Sequence, residues 1–408
     1  MKFLDIKNLD PWLIAVTFLL IGFGFVVLWA ATVTDSGEMS LLLQRQIIWS
    51  IVGTIILILT ASLSPRVHYA LAYIFYIIGC LLLLSVFFLS DPAKGAARWI
   101  DLGFLNVQPS EPAKIAFILA FARLASDKKF NPVKLTHLLR ALALTAVPLG
   151  LVLVQPDLGT SMVFAALGLS LLIVAGTPLA YLIVLVSPLF AALASLDTVL
   201  MVAYLILLMI VTWRLRFRFS MIFILVILNL GISLGTPKLW DQLKPYQKSR
   251  LVSFLQPEAD PRGSGYQVIQ SKVAIGSGGL TGKGLTQGSQ TQLKFLPEQH
   301  TDFIFSVVGE ELGFIGASFA MLLFMILILR GFRAALIAKG KYSAMVCAGV
   351  SSMLAFHVFI NVGMTVGLMP VTGLPLPLLS YGGSFLWTVM LSLGLVIGIQ
   401  RRWREYTP

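Results

Sequence analysis

The chain is poor in charge and nearly free of cysteine. Of its 408 residues only 12% are Asp, Glu, Lys or Arg, against 58% hydrophobic residues, and the mean hydropathy is +0.90. That balance excludes a soluble globule and leaves a polytopic membrane protein. Both cysteines, Cys80 and Cys347, fall inside apolar runs, which excludes a disulfide framework and a thiolate metal site. The four histidines, His68, His137, His300 and His357, have no ligand spacing, so a protein-built zinc site is not expected. No nucleotide-binding loop and no inverted repeat is visible, and the first apolar run lacks a small-residue cleavage site, so it should stay as an anchor.

Apolar runs of membrane-spanning length occur at about 11–33, 46–63, 69–89, 111–126, 137–154, 159–175, 179–194, 198–213, 219–236, 303–329, 343–367 and 378–400. They lack the alternation of a barrel, so the expected fold is all-α and polytopic, with about 12 transmembrane helices. The chain is expected to be one transmembrane domain over 1–408, with a large structured extracytoplasmic loop at 237–302 within it. Basic residues set the orientation. With the N-terminus inside, Lys2, Lys7, Arg66, Lys128, Lys129, Lys134, the 214–218 arginines, Arg330, Arg333, Lys339, Lys341 and Arg401, Arg402 and Arg404 all face the cytoplasm. Both termini are then cytoplasmic. The formal net charge of +12 follows from this topology, and nucleic acid is not an expected partner.

Charges that survive in or beside spans are functional candidates. Gln108-Pro109-Ser110-Glu111-Pro112-Ala113-Lys114 opens the fourth run, and Glu111 and Lys114 share a helix face. They form a self-neutralising pair, or Lys114 faces a cavity and binds an anionic group. Gln155-Pro156-Asp157-Leu158-Gly159 is turn chemistry or part of a site. Arg98-Trp99 suits an interfacial anchor or a lipid-linked phosphate. The prolines of Met369-Pro370-Val371-Thr372-Gly373-Leu374-Pro375-Leu376-Pro377 cannot continue a helix, so this stretch is expected to be packed, non-helical backbone. Asp260 lies in an Asp-Pro turn within the polar loop, and a solvated turn is its bland reading.

These motifs, with the run from Tyr266 through Gln270-Ser271-Lys272 to Gly279, with His300-Thr301-Asp302-Phe303 and Gly309-Glu310-Glu311-Leu312-Gly313, and with Ser380-Tyr381-Gly382-Gly383-Ser384, closely resemble the shape, elongation, division and sporulation (SEDS) family. The likeness covers nearly the whole chain and favours the elongation branch over the division branch. It implies a peptidoglycan glycosyltransferase joining lipid II units at the outer face of the bacterial cytoplasmic membrane. It also implies that Asp260 corresponds to the family's essential acid. The family usually has ten spans, so the surplus here lies around 178–236. Phe385 stands where a small residue is often seen.

The chemistry implied needs one base and several cations. Asp260 is the candidate general base for attack of an acceptor C4 hydroxyl on a donor anomeric carbon, with Glu258 as its natural control. Arg98, Lys114, Arg250 and Lys272 are the candidate cations for the leaving pyrophosphate, and Glu111, Gln267, His300, Asp302 and Ser380 complete the substrate-binding set. The bland reading of His300 and Asp302 is a helix N-terminus, where Asp302 favours the dipole. No cofactor is required, and a divalent cation is left open. The expected partners are lipid II, a class B penicillin-binding protein transpeptidase and other elongation-complex membrane proteins. The competing readings are a lipid II flippase, a septal polymerase of the division type, and a scaffold.

Overall fold

The computed structural model describes residues 9–33, 39–89, 99–101, 106–195, 197–217, 219–242, 248, 264–293 and 295–402. Among the described residues, nine helices come first: α1 (Pro11–Thr32), α2 (Leu41–Ser62), α3 (Pro65–Leu89), α4 (Ser110–Ser126), α5 (Leu135–Val154), α6 (Leu158–Val174), α7 (Leu179–Ala194), α8 (Thr198–Arg214) and α9 (Phe219–Gln242). Two polar helices follow, α10 (Ser264–Ser277) and the single turn α11 (Ser289–Gln292). Three more close the chain: α12 (Ile304–Ile337), α13 (Lys341–Thr365) and α14 (Gly383–Arg401). A two-stranded hairpin, β1 (Ile100–Asp101) against β2 (Asn106–Val107), leads into α4.

Each expected apolar run overlaps a helix, but the last, expected from 378, is helical only from Gly383. Seven of the helices are both long and apolar enough to cross a membrane; α6, α7, α8 and the 222–237 part of α9 are apolar but shorter. The ninth run was expected to stop before Pro237, yet the helix continues through that proline to Gln242. Helix starts follow local chemistry. Asp10 caps α1 by accepting from the amides of Trp12 at 3.0 Å and Leu13 at 3.3 Å, with Pro11 at the first position. Ser40, Asp157 and Asp197 cap α2, α6 and α8 in the same way.

Two helices form the centre. The apolar window of α14 is 89% buried and that of α13 is 72% buried, whereas those of α2 and α3 are 28% and 22% buried. The latter lie at the periphery of the bundle. The α2–α14 seam is close because Gly394 and Gly398 lie against Thr60 and Ala61, where a side chain would collide. The surplus region forms its own three-helix unit. Tyr204 on α8 donates to the Ser187 carbonyl of α7 at 2.7 Å, and Asn229 Nδ2 on α9 donates to Ser187 Oγ at 3.1 Å. Polar groups thus hold together helices that share no apolar driving force in lipid. A cavity of about 330 Å³ between α6, α7 and α8 is apolar and remote from the expected site.

Both cysteines are free. Among the described residues, no group of three His, Cys, Asp or Glu side chains could hold a metal ion.

Candidate functional site

The stretch between α13 and α14 is non-helical, as its prolines require, and it is buried rather than looped into solvent. Leu374, Leu376, Leu378 and Leu379 are all 3% exposed or less. Its backbone polar groups are therefore met by side chains. Asn361 Nδ2 donates to the carbonyls of Asp302 and Leu374, both at 2.8 Å. Ser380 Oγ donates to the Thr301 carbonyl at 2.6 Å and accepts from the Leu376 amide at 2.8 Å. Gln46 on α2 donates to the Ser380 carbonyl and accepts from the Gly382 amide, each at 3.2 Å. Residues 300–302, 374–382 and the start of α2 are thereby tied into one rigid end of the bundle.

The same end holds the starts of α4 and α6. Gln108 Nε2 donates to Asp157 Oδ2 at 3.3 Å, and Asp157 accepts from the Thr160 amide at 3.1 Å. The turn reading of Asp157 is correct, since it caps α6, and it also joins the two motifs. Gly159 packs against the Thr372 backbone with no room for a side chain.

Below this cap, Lys114 is fully buried. Its ammonium lies 2.9 Å from both carboxylate oxygens of Glu111 and 3.1 Å from His357 Nε2 on α13. Phe385 closes the group, with its ring 5.0 Å from that of His357 and 5.5 Å from Lys114 Nζ. The departure at position 385 therefore adds a cation–π surface to this cation.

The polar segment folds over the start of α12. Glu310, wholly buried, accepts from Lys283 Nζ at 2.7 Å, the Gln290 amide at 2.9 Å, the Thr291 amide at 3.0 Å and Thr291 Oγ at 2.8 Å. One carboxylate thus organises the whole turn from 283 to 291. Gln292 and Gln299 donate to the carbonyls of Ala30 and Ala31 at the end of α1, at 3.0 and 3.1 Å. On α10, Ser271 Oγ donates to the Thr365 carbonyl at 2.6 Å. A second, small core of Val268, Leu296, Phe303 and Val371 seals α10 to the cap.

Seven of the expected site residues are described. Glu111 and Lys114 touch each other, and Ser380 binds the carbonyl of Thr301, between His300 and Asp302. Lys272 is exposed, its side chain running over Gly367 at the end of α13, and Gln267 is half-buried on the same helix. Asp302 precedes the N-cap of α12, Phe303, which has no side-chain cap, and its Oδ2 faces Gly373. His300 packs edge-on against Tyr381 at 5.7 Å, and Tyr381 against Trp49 at 5.2 Å. Burial holds the His300 imidazole below its ordinary pKa, with Glu298 partly opposing. Asp260, Arg98, Arg250 and the control Glu258 lie outside the described residues.

Two groups were missed in the sequence. His357 has no metal-ligand spacing, yet an ionisable residue within an apolar helix is itself a signal. Glu310 stands in a motif without a local partner, and Lys283, which it binds, lies 27 residues earlier, beyond any local rule.

Known relatives match nearly all of the chain. The family model described as FTSW_RODA_SPOVE, cell cycle protein, matches residues 11–204 and 194–405. The peptidoglycan glycosyltransferase MrdB of Escherichia coli is 38% identical over 97% of this chain and 95% of its own length. A solved chain described under "Structural coordination of polymerization and crosslinking by a peptidoglycan synthase complex" superposes with a TM-score of 0.73 at 31% identity, covering 97% of this chain and 99% of that one. The rod shape determining protein RodA of Thermus thermophilus superposes at 0.66 and 27% identity, covering 99% and 100% of the two chains.

Proposed function

The chain belongs to the cell cycle protein family of FtsW, RodA and SpoVE, the SEDS family, and on that premise we propose that it is a peptidoglycan glycosyltransferase polymerising lipid II for cell-wall elongation. The observation that carries this reading is the likeness, end to end, to relatives named for that activity. It is joined by the meeting of the sequence motifs at one end of the bundle.

Asp260 is the general base. A sugar hydroxyl is a weak nucleophile until a positioned carboxylate takes its proton, a contribution of typically ~10²–10⁴-fold. The acceptor C4 hydroxyl attacks the donor anomeric carbon, the proton passes to Asp260, and undecaprenyl pyrophosphate leaves with the bonding pair. Single displacement inverts the α-linked donor to a β-linked strand. Arg98, Lys114, Arg250 and Lys272 balance the charge on the departing pyrophosphate. Gln267, His300 and Asp302 orient the sugars, while Glu111 and Ser380 hold Lys114 and the cap in place.

The polar loop lies on the extracytoplasmic face, the termini lie in the cytoplasm, and twelve helices cross the bacterial inner membrane. The positive-inside distribution supports this orientation. A class B penicillin-binding protein transpeptidase is the proposed partner, in line with the polymerisation and crosslinking described for one solved relative.

The test is strand synthesis from labelled lipid II by the purified chain with a transpeptidase partner, comparing wild type, Asp260→Ala and Glu258→Ala. Polymer from wild type and Glu258→Ala but not Asp260→Ala, with lipid II binding kept, is expected. Equal polymer from Asp260→Ala would overturn the base assignment, and lipid movement between leaflets without polymer would replace the enzyme by a flippase.

A further inference from the structure

The opposite end of the bundle is also concave. A groove of about 410 Å³ is lined by Trp12 at the start of α1 and by Ile326, Leu329, Arg330 and Arg333 of α12. The α12 residues recur at three- and four-residue intervals and so form one stripe along the helix. The stripe changes from aliphatic to cationic towards the end of the bundle that also holds Arg401 and Lys341.

The charges in this groove are only partly answered. Arg330 Nη1 reaches Asp10 Oδ2 at 3.4 Å, a long contact, and its side chain is 22% exposed. Asp10 is shared, since it also caps α1 and accepts from Gln400 Nε2 at 3.1 Å. Arg333 is exposed and has no ion pair among the described residues. The groove therefore holds two guanidinium groups and one committed carboxylate. Trp12, 58% exposed, lies under Arg330, whose guanidinium is 6.0 Å from its ring centroid.

We propose that this α1–α12 groove binds one anionic glycerophospholipid, its phosphate on Arg333 and Arg330 and an acyl chain along Leu329 and Ile326 beside Trp12. Each part of that ligand has its counterpart. The planar guanidinium bonds two phosphate oxygens at once, an indole is favoured at headgroup depth, and basic seams between membrane helices are the surfaces that select acidic headgroups. A general interfacial anchor would need only scattered basic residues; here the two arginines and the apolar stripe are continuous within one concave seam. The lipid would also bridge α1 to α12, adding to the Asp10–Arg330 contact.

Native mass spectrometry of the delipidated full-length protein, titrated with phosphatidylglycerol, phosphatidylcholine or glycerol phosphate, tests this directly. One phosphatidylglycerol is expected to bind in preference to phosphatidylcholine, and glycerol phosphate not to compete. Arg333→Ala should weaken phosphatidylglycerol about tenfold, the scale of one charge-assisted contact, with Arg333→Lys intermediate. Because Arg333 makes no ion pair among the described residues, its variants should unfold at the wild-type temperature without lipid, which separates binding from folding. Equal binding of the two lipids, or undiminished phosphatidylglycerol binding by Arg333→Ala and Trp12→Ala, would overturn the proposal.

Discussion

Lys114 Nζ on α4 lies 3.1 Å from His357 Nε2 on α13, 243 residues further along the chain, and both side chains are completely buried. An ammonium has only donors, so Nε2 must be the acceptor and the imidazole must carry its proton on Nδ1. His357 therefore fixes where the buried cation sits.

Replacing His357 by Gln keeps an acceptor within reach, whereas Ala or Phe removes it. Losing a hydrogen bond to a charged group removes about 1.5–3 kcal/mol, so Ala and Phe should lower the rate of strand synthesis about 10- to 100-fold, with Gln largely restored. If the role is positioning, the loss appears in kcat more than in KM. Equal activity of Gln and Ala variants would refute it.

The Glu111–Lys114 pair is a coupled buried unit. Glu111→Ala leaves an ammonium with one neutral partner and should destabilise the protein by about 3–5 kcal/mol. The double change Glu111→Leu with Lys114→Met should unfold at a higher temperature than either single change. A thermal double-mutant cycle in detergent measures the coupling, and additive single effects would show that the pair is not one unit.

Ser380→Ala removes a donor from the Thr301 carbonyl and an acceptor from the Leu376 amide. Stranding two backbone groups in a buried cap should cost about 1–3 kcal/mol for each. Hydrogen exchange should quicken at Leu376 and across 298–303, while Ser380→Thr keeps most of the protection. Unchanged exchange in Ser380→Ala would mean that the cap is held elsewhere.

Glycine is required where the polar segment crosses α12. Gly282 has φ +81° and a side chain there would run into the Glu311 carbonyl, whereas Gly276 on α10 has open space around it. Gly282→Ala should make 278–293 susceptible to limited proteolysis, since the left-handed backbone alone costs about 1 kcal/mol or more for alanine. Gly276→Ala should be neutral or slightly stabilising. Wild-type resistance in both variants would remove this role from Gly282.

His300 is held below its ordinary pKa of 6.5 by burial. The unfolded chain therefore binds this proton more readily than the folded one. The contribution of the neutral imidazole is fully present above pH 6.5 and is lost as pH falls from there through the lower folded value. Local opening at 298–303, followed by hydrogen exchange, should increase below pH 6.5 in wild type. His300→Gln should flatten that dependence, and an unaltered profile would assign it to another group.

Much of the architecture was legible in the sequence because lipid allows few alternatives. Apolar runs without partners for their backbone must be helices, and three prolines between 370 and 377 must break one. Asp157 marks a helix start by a rule that reaches only three residues. The Glu111–Lys114 contact follows from helical spacing, and so it too could be read, although its complete burial could not.

Features that are local or imposed by solvent are thus written in the chain: the helices, their breaks, the basic ends and, through motifs, the family. The tertiary structure alone decided which distant groups meet. His357 joins Lys114, Lys283 joins Glu310, Asn361 joins the carbonyls of Asp302 and Leu374, and Arg330 joins Asp10. The physical reason is that a buried polar group must find a partner but carries no preference for where in the chain that partner lies. Only the packing of helices around α13 and α14 chooses among the candidates.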